Sequence, residues 1–184
     1  MKAKILLVDD EPNVLIALKR ALLEEPYEVH AAQNGIEALE ILKSEQFKVI
    51  ISDERMPEMD GADLLSIVRA RYPATVRIML TGYANLEATV AAVNRSEVYR
   101  FFTKPWNDVE LLMAIRTAVE KHDLEAENRR LLRTIKTQAF ELKAIEKIHP
   151  GITRLEKDEN GNLLLPDFSE KEIEEILAQC EGIE

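Results

Sequence analysis

The first 120 residues alternate between short apolar runs and longer stretches whose apolar residues recur at helical spacing. The apolar runs predict five strands, at residues 4–8, 27–32, 48–52, 76–80 and 98–102. The helical stretches between them start at Pro12, Gly35, Ala62 and Leu86, and a fifth follows Asn107 as its cap. This alternation predicts parallel βαβ units with right-handed crossovers. Fully apolar strands indicate a doubly wound α/β sheet with helices on both faces.

The last helical stretch is unusually long. No glycine or proline interrupts residues 108–148, which predicts one helix of roughly 60 Å. Its first turns place Leu112, Ile115 and Val119 toward the sheet. Farther along, residues at alternating spacings of four and three form a heptad seam typical of a two-helix coiled coil. The seam residues are Leu124, Asn128, Leu131, Ile135, Gln138, Leu142 and Ile145.

Asn128 at a core position of this seam favours a parallel homodimer in one register. The alternative is an amphipathic helix that packs on its own C-terminal tail. In that tail, Asn160-Gly161 lies between the apolar stretches 152–155 and 163–165 and predicts a hairpin with a two-residue turn. A short amphipathic helix is predicted from Ser169. The resulting division is residues 1–120, 121–148 as a possible coiled coil, and a small hairpin-helix module at 149–184.

Composition restricts the cellular location and the binding partners that we expect. The chain has 184 residues, and its apolar runs are far shorter than the roughly 20 residues that a membrane span needs. One cysteine, Cys180, excludes a disulfide framework and favours a reducing, cytoplasmic location. The net charge is −10, with ten acidic and three basic residues in 149–184. Without a basic block, we expect no direct contact with nucleic acid.

Polar residues stand directly after four of the predicted strands. Asp9-Asp10 follow the first strand, Asp53 the third and Thr81 the fourth, and Lys104 follows the fifth. In a doubly wound sheet these ends converge on one crevice. Clustered carboxylates need a counter-ion, and oxygen ligands suit Mg²⁺. One carboxylate could then become an acyl phosphate, with the Thr81 hydroxyl and the Lys104 ammonium holding the phosphoryl oxygens.

Four segments at these positions form a set whose order and spacing are more specific than any one of them. They are Val8-Asp9-Asp10-Glu11-Pro12, Ser52-Asp53-Glu54-Arg55-Met56-Pro57-Glu58-Met59-Asp60-Gly61, Leu80-Thr81-Gly82-Tyr83 and Phe101-Phe102-Thr103-Lys104-Pro105-Trp106. Over about residues 1–120 the chain resembles the receiver domain of bacterial two-component response regulators. The resemblance implies a flavodoxin-like fold whose five parallel strands have the order 2-1-3-4-5.

The resemblance also implies a role for each acid of the crevice. Asp53 would accept the phosphoryl group from the phosphohistidine of a sensor histidine kinase. Asp10, Asp53 and the backbone carbonyl of Arg55 would bind Mg²⁺ directly, whereas Asp9 would act through a metal-bound water. The protein would then be a phosphoacceptor that catalyses its own phosphorylation and dephosphorylation, and not an enzyme acting on a separate substrate.

Further roles follow from the same resemblance. Thr81 and Lys104 would bind the phosphoryl group, and a cis Lys104–Pro105 bond would aim the lysine. Phe101 matches the switch aromatic that turns inward when Thr81 moves toward the phosphate. Arg55 and Tyr83 would flank the path of the hydrolytic water, so both large side chains would lengthen the lifetime of the aspartyl phosphate.

Other readings of these residues remain open. Asp9 or Thr81 alone could be a helix or turn cap, and Phe101 could simply be part of the core. Phosphatases of the haloacid dehalogenase type also form an aspartyl phosphate on a parallel sheet. Their nucleophile lies on the first strand with a second acid two residues later, and here Pro12 holds the position two past Asp10.

The sequence predicts a phosphorylation switch that acts through a dimer or a downstream effector protein or domain. The alternative is a truncated regulator whose missing effector is an enzyme, such as a cyclic-dinucleotide phosphodiesterase, or a transcriptional activator. A regulator that binds DNA itself is disfavoured by the acidic tail. We expect no contact with a membrane.

Overall fold

The computed structural model describes residues 2–82, 98–148, 156–157 and 163–164. Several sequence predictions lie outside these residues: the helix from Leu86, the position of Tyr83, the stretch 152–155, the turn at Asn160-Gly161 and the helix from Ser169. The chain divides into two compact units, residues 1–130 and residues 131–184. Across the described segments, no helix is both long and apolar enough to cross a membrane.

The first unit contains a five-stranded parallel sheet. Its strands are β1 (Ala3–Val8), β2 (Tyr27–Ala32), β3 (Val49–Asp53), β4 (Val76–Thr81) and β5 (Arg100–Thr103). The order across the sheet is β2-β1-β3-β4-β5, which confirms the predicted order 2-1-3-4-5. The fifth strand begins at Arg100 and not at residue 98, because its pairing with β4 starts where Arg100 lies opposite Ile78.

Four helices accompany the described strands: α1 (Pro12–Ala21), α2 (Gly35–Ser44), α3 (Gly61–Arg71) and α4 (Asp108–Ile148). Local sequence signals explain where they begin. Pro12 occupies the first turn of α1, where its missing N–H would have no partner in the helix. The Asn34 side chain accepts the Glu37 N–H at the start of α2. Asn107 caps α4, as predicted, by accepting N–H groups of the first turn.

Two apolar layers cover the sheet, one on each face. Ile5 and Leu7 of β1 face a cluster that includes Leu18 of α1 and Ile115 of α4. Leu6 and Val8 of β1 face a cluster formed with α2 and α3. Successive residues of a strand point to opposite faces, so an apolar strand is expected wherever both faces are covered. The doubly wound α/β class predicted from the sequence is confirmed.

Helix α4 changes character along its length. Its first turns bury Leu111, Ala114, Ile115 and Ala118 against the sheet, and the predicted contacts of Leu112 and Val119 are present as partly buried packing. Beyond these turns the apolar side chains of the heptad seam are largely exposed: Leu124, Leu131, Ile135, Leu142 and Ile145. The predicted dimer therefore has an available surface, and it stays a prediction.

The second unit contains the predicted hairpin in a different register. Strands β6 (Glu156–Lys157) and β7 (Leu163–Leu164) pair in antiparallel fashion, with Lys157 opposite Leu163. A two-residue turn at Asn160-Gly161 would instead place Lys157 opposite Leu164. A shift of one residue moves every side chain of a strand to the other face relative to its partner. The stretch 152–155, which we expected to be the first strand, lies outside the described residues.

Candidate functional site

The polar residues predicted at the strand ends meet at the carboxyl edge of the sheet. Asp9 follows β1, Asp53 ends β3, and Lys104 follows β5. The Lys104 Nζ atom lies 2.8 Å from Asp9 Oδ2 and 2.6 Å from Asp53 Oδ1. One ammonium therefore bridges two carboxylates that are 44 residues apart in the sequence. This is the convergence that the doubly wound topology predicts.

The loop after β3 fixes the position of Asp53. Asp53 Oδ2 accepts the backbone N–H of Arg55 at 2.9 Å. The Gly61 N–H donates to the Glu54 carbonyl at 2.9 Å, so α3 begins directly against the end of β3. A Cβ atom at residue 61 would lie 1.8 Å from the backbone oxygen of Asp53. Only glycine fits this approach, which explains its place in the segment that ends at Gly61.

Burial and charge act in opposite directions on the pKa values of this pair. Burial raises the pKa of Asp9, and the hydrogen bonds from Lys104 and from the Glu11 N–H offset that effect only in part. Burial would lower the pKa of Lys104, but the carboxylates of Asp53 and Asp9 outweigh it and raise that pKa above its ordinary value. Lys104 therefore remains a fixed positive charge at neutral pH.

The structure separates the two adjacent acids after β1. The Asp9 side chain is fully buried and bound to Lys104, whereas Asp10 is exposed. Three carboxylates surround the Lys104 ammonium, those of Asp9, Asp53 and, at 3.8 Å, Glu11, which leaves two formal negative charges in excess. This set of hard oxygen donors and this charge suit a divalent cation such as Mg²⁺. The Arg55 peptide, whose carbonyl is the further candidate ligand, is held beside Asp53 by its own N–H.

Thr81 lies at the end of β4 with a contact that sequence reasoning missed. Its side chain is buried, and its hydroxyl donates to the Glu54 carboxylate. The available signal was the position of Glu54, an acid directly after the proposed phosphoacceptor on a strand next to β4.

The remaining predicted residues are placed as follows. Phe101 pairs with Met79 across β4 and β5 and is 40% exposed, so its ring is directed outward in this state. The Lys104–Pro105 bond is cis, as the resemblance implied. Arg55 is exposed at the mouth of the crevice.

A second cluster, of two glutamates and a histidine, lies beside the edge strand β2. Ligand-type atoms of Glu28, His30 and Glu45 lie within 4.8 Å of one another. The Lys4 ammonium lies 2.7 Å from Glu45 and 3.4 Å from Glu28, so one side-chain cation already pairs with both carboxylates. We therefore interpret this cluster as an ion-pair network and the crevice as the chemical site.

Comparison with known proteins identifies the family of the chain. The model of the response regulator receiver domain matches residues 5–116. The hydrogenase transcriptional regulatory protein HoxA of Cupriavidus necator is 38% identical over 130 residues, which are 71% of this chain and 27% of that protein. The chain thus spans about a quarter to a third of the first curated relatives it matches.

Solved structures show the same likeness. The receiver domain of an HD domain-containing protein from Pseudomonas fluorescens Pf-5 is 40% identical, with a TM-score of 0.66 over 68% of this chain and 93% of that one. The structure described as adenylate cyclase from Rhodopirellula baltica is 38% identical, with a TM-score of 0.67 over 72% and 98%. With the strand order, the crevice and these matches in agreement, the chain belongs to the response regulator receiver domain family.

Proposed function

We propose that the first unit is a phosphorylation switch in which Asp53 accepts a phosphoryl group from the phosphohistidine of a sensor histidine kinase. The observation that carries this proposal is the bridge from Lys104 Nζ to Asp53 Oδ1 at 2.6 Å, shared with the buried Asp9. A lysine held in this way places a fixed positive charge beside the reacting carboxylate.

The reaction needs only a positioned nucleophile and charge stabilisation. A carboxylate oxygen of Asp53 attacks the phosphorus of the donor, and the phosphorus–nitrogen bond to the histidine breaks as the acyl phosphate forms. The imidazole leaves with the bonding electron pair and takes up a proton. Lys104 stabilises the negative charge on the phosphoryl oxygens, and Thr81 donates a hydrogen bond once its hydroxyl turns toward them.

Asp9, Asp10, Asp53 and the Arg55 carbonyl would hold Mg²⁺ at this site. The bound ion would supply the positive charge that lets an anionic phosphoryl group approach three carboxylates. The two excess negative charges of the crevice support this assignment.

The output is proposed to pass through α4. The exposed seam from Leu124 to Ile145 would pair with the same seam of a second copy to form a parallel dimer. The alternative is an effector beyond residue 184. HoxA is named a transcriptional regulatory protein, and the two solved relatives are described as the receiver domain of an HD domain-containing protein and as an adenylate cyclase. These names favour a transcriptional or an enzymatic effector as the two forms of that alternative.

The phosphorylation proposal is tested with acetyl phosphate and Mg²⁺, followed by mapping of the modified peptide. We expect one modified residue, Asp53, and no labelling in Asp53→Asn or without a divalent ion. Asp63→Asn is the matched control, an exposed aspartate in the first turn of α3 that should label as the unchanged protein does. Undiminished labelling of Asp53→Asn would overturn the assignment.

We further propose that Arg55 and Tyr83 slow hydrolysis of the acyl phosphate, by charge pairing and by blocking the water. A tenfold slowing corresponds to only about 1.4 kcal/mol at the transition state. Loss of phosphate is followed after removal of the donor, for the unchanged protein and for Arg55→Ala and Tyr83→Ala. Each variant should lose phosphate faster, and equal lifetimes in all three proteins would contradict the role.

A further inference from the structure

Glu54 binds the Thr81 hydroxyl, the group that would donate a hydrogen bond to the phosphoryl group on Asp53. The Thr81 hydroxyl donates to the Glu54 carboxylate, and the Thr81 side chain is 1% exposed. A hydroxyl carries a single hydrogen, so it can donate to only one acceptor at a time. While Thr81 donates to Glu54, it cannot donate to a phosphoryl oxygen on Asp53.

Glu54 is well placed to act as such a competing acceptor. Its N–H donates to the Leu80 carbonyl at 2.8 Å, and its own carbonyl accepts the Gly61 N–H at 2.9 Å. The backbone is therefore held from both sides, between the residue before Thr81 and the first residue of α3. Its side chain is half-buried beside Thr81. A carboxylate is a stronger acceptor than a neutral group, which makes the resting contact hard to replace.

We propose that Glu54 is a positioning residue that holds Thr81 in the resting orientation and so opposes the phosphorylated state. The proposal rests on the proposed function of Asp53 and extends it. Two anions, the Glu54 carboxylate and the phosphoryl group, compete for one donor. Only molecules in which Thr81 has left Glu54 can donate this hydrogen bond to the phosphoryl group. The apparent affinity for a phosphoryl group therefore falls in proportion to the fraction of such molecules.

The test uses beryllofluoride with Mg²⁺, a stable mimic of the phosphoryl group, in the full chain. Binding is followed by the fluorescence of Trp106, the only tryptophan in the sequence. We expect Glu54→Ala to lower the midpoint concentration about tenfold, and Glu54→Gln to lower it less because an amide still accepts a hydrogen bond. In a Thr81→Ala background the same Glu54 substitutions should shift the midpoint less than about twofold.

Glu11→Ala is the matched charge control. Glu11 is exposed, and its carboxylate lies 3.8 Å from Lys104 Nζ. It is therefore an acid of the same crevice whose recorded contact is with Lys104, whereas that of Glu54 is with Thr81. Any effect of Glu11→Ala should be the same with and without the Thr81 hydroxyl. If Glu54→Ala has the same effect with Thr81 and in the Thr81→Ala background, Glu54 acts only through its negative charge. That result would overturn its action through Thr81.

The outcomes also separate the two proposals. If Asp53→Asn binds the mimic as the unchanged protein does, the proposed function fails. If binding depends on Asp53 but neither Glu54 variant lowers the midpoint, only the inference about Glu54 fails. Thermal unfolding of each variant is measured first, and Glu54→Gln, which keeps the size of the side chain, decides the question if Glu54→Ala does not fold.

Discussion

The two halves of α4 have similar apolar residues in opposite environments. Leu111 near its start is 1% exposed and packs against the sheet, whereas Ile135 in the second half is 59% exposed. The first half is held in place by tertiary packing, which is the main source of stability for most helices in proteins. The second half presents a stripe with heptad spacing. The comparison teaches that one uninterrupted helix can contribute to the core in its first half and leave an apolar stripe exposed in its second half.

The largest effect should come from removing core packing in the first half. Leu111→Ala should lower the free energy of unfolding by about 2–5 kcal/mol, because it deletes buried methyl groups and leaves a cavity. Phe140→Ala is the control in the second half, where the ring is 74% exposed. This substitution should change the free energy of unfolding by no more than about 0.5 kcal/mol. Urea denaturation measures both. Equal losses would show that the two halves are stabilised in the same way.

The next effect should appear in self-association. Ile135→Lys places a charge in the proposed seam and should weaken the dimer more than about tenfold, equivalent to about 1.4 kcal/mol. Phe140→Lys is the matched control, since the heptad places residue 140 on the opposite side of the helix from the seam. Light scattering over a range of concentrations gives the mass of each protein. A monomeric unchanged chain, with and without beryllofluoride, would contradict the dimer.

A smaller effect should follow from the polar core position. Asn128→Ile should strengthen association but relax its specificity, because Asn at this position selects the register and number of helices at some cost in stability. We expect a higher melting temperature together with species larger than a dimer. A single dimeric species of unchanged stability would mean that Asn128 does not face a partner helix.

The smallest effect concerns the boundary between the halves. Burial alone would raise the pKa of Asp123, but hydrogen bonds from Lys48 and His122 outweigh it and lower that pKa. The ion pair with Lys48 is partly exposed, so Asp123→Asn should cost less than about 1 kcal/mol at neutral pH.

The pH dependence of this contribution has a definite sign. A carboxylate with a lowered pKa stabilises the fold above its ordinary value of 3.8, and this contribution is lost as the pH falls through the lowered pKa. The difference between the unchanged protein and Asp123→Asn should therefore vanish in acid. Glu141→Gln, at an exposed acid farther along α4, serves as the control. A difference that persists in acid would point to packing and not to charge.

The sequence was sufficient for the sheet because its signals are local and repeated. Apolar runs that alternate with stretches of helical periodicity predict a doubly wound parallel sheet. In such a sheet the carboxyl ends of the strands lie at one edge, so Asp53 and Lys104 are expected to lie close together. It was insufficient for the choice between Asp9 and Asp10. From Ile5 to Val8, strand β1 is apolar on both faces, so the residues just before the two acids show no polar alternation that could indicate which acid points inward.

Two other details depended on three-dimensional pairing. The contact between Glu54 and Thr81 joins neighbouring strands and could not be inferred from either segment alone. In the hairpin, the pairing of Lys157 with Leu163 differs by one residue from that of a two-residue turn at Asn160-Gly161. A ladder of only two residues on each strand offers few side-chain pairs, so register here depends on the geometry of the turn.

The ion-pair network beside β2 has a consequence for the behaviour of the protein at high concentration. β2 is an edge strand, and the outer backbone groups of such a strand can pair with another chain. Glu28, Lys4 and Glu45 place charges beside this edge, and a second sheet that approached it would have to remove their hydration. Exposed ion pairs add little to stability, so we expect neutral substitutions here to leave the melting temperature nearly unchanged but to lower colloidal solubility.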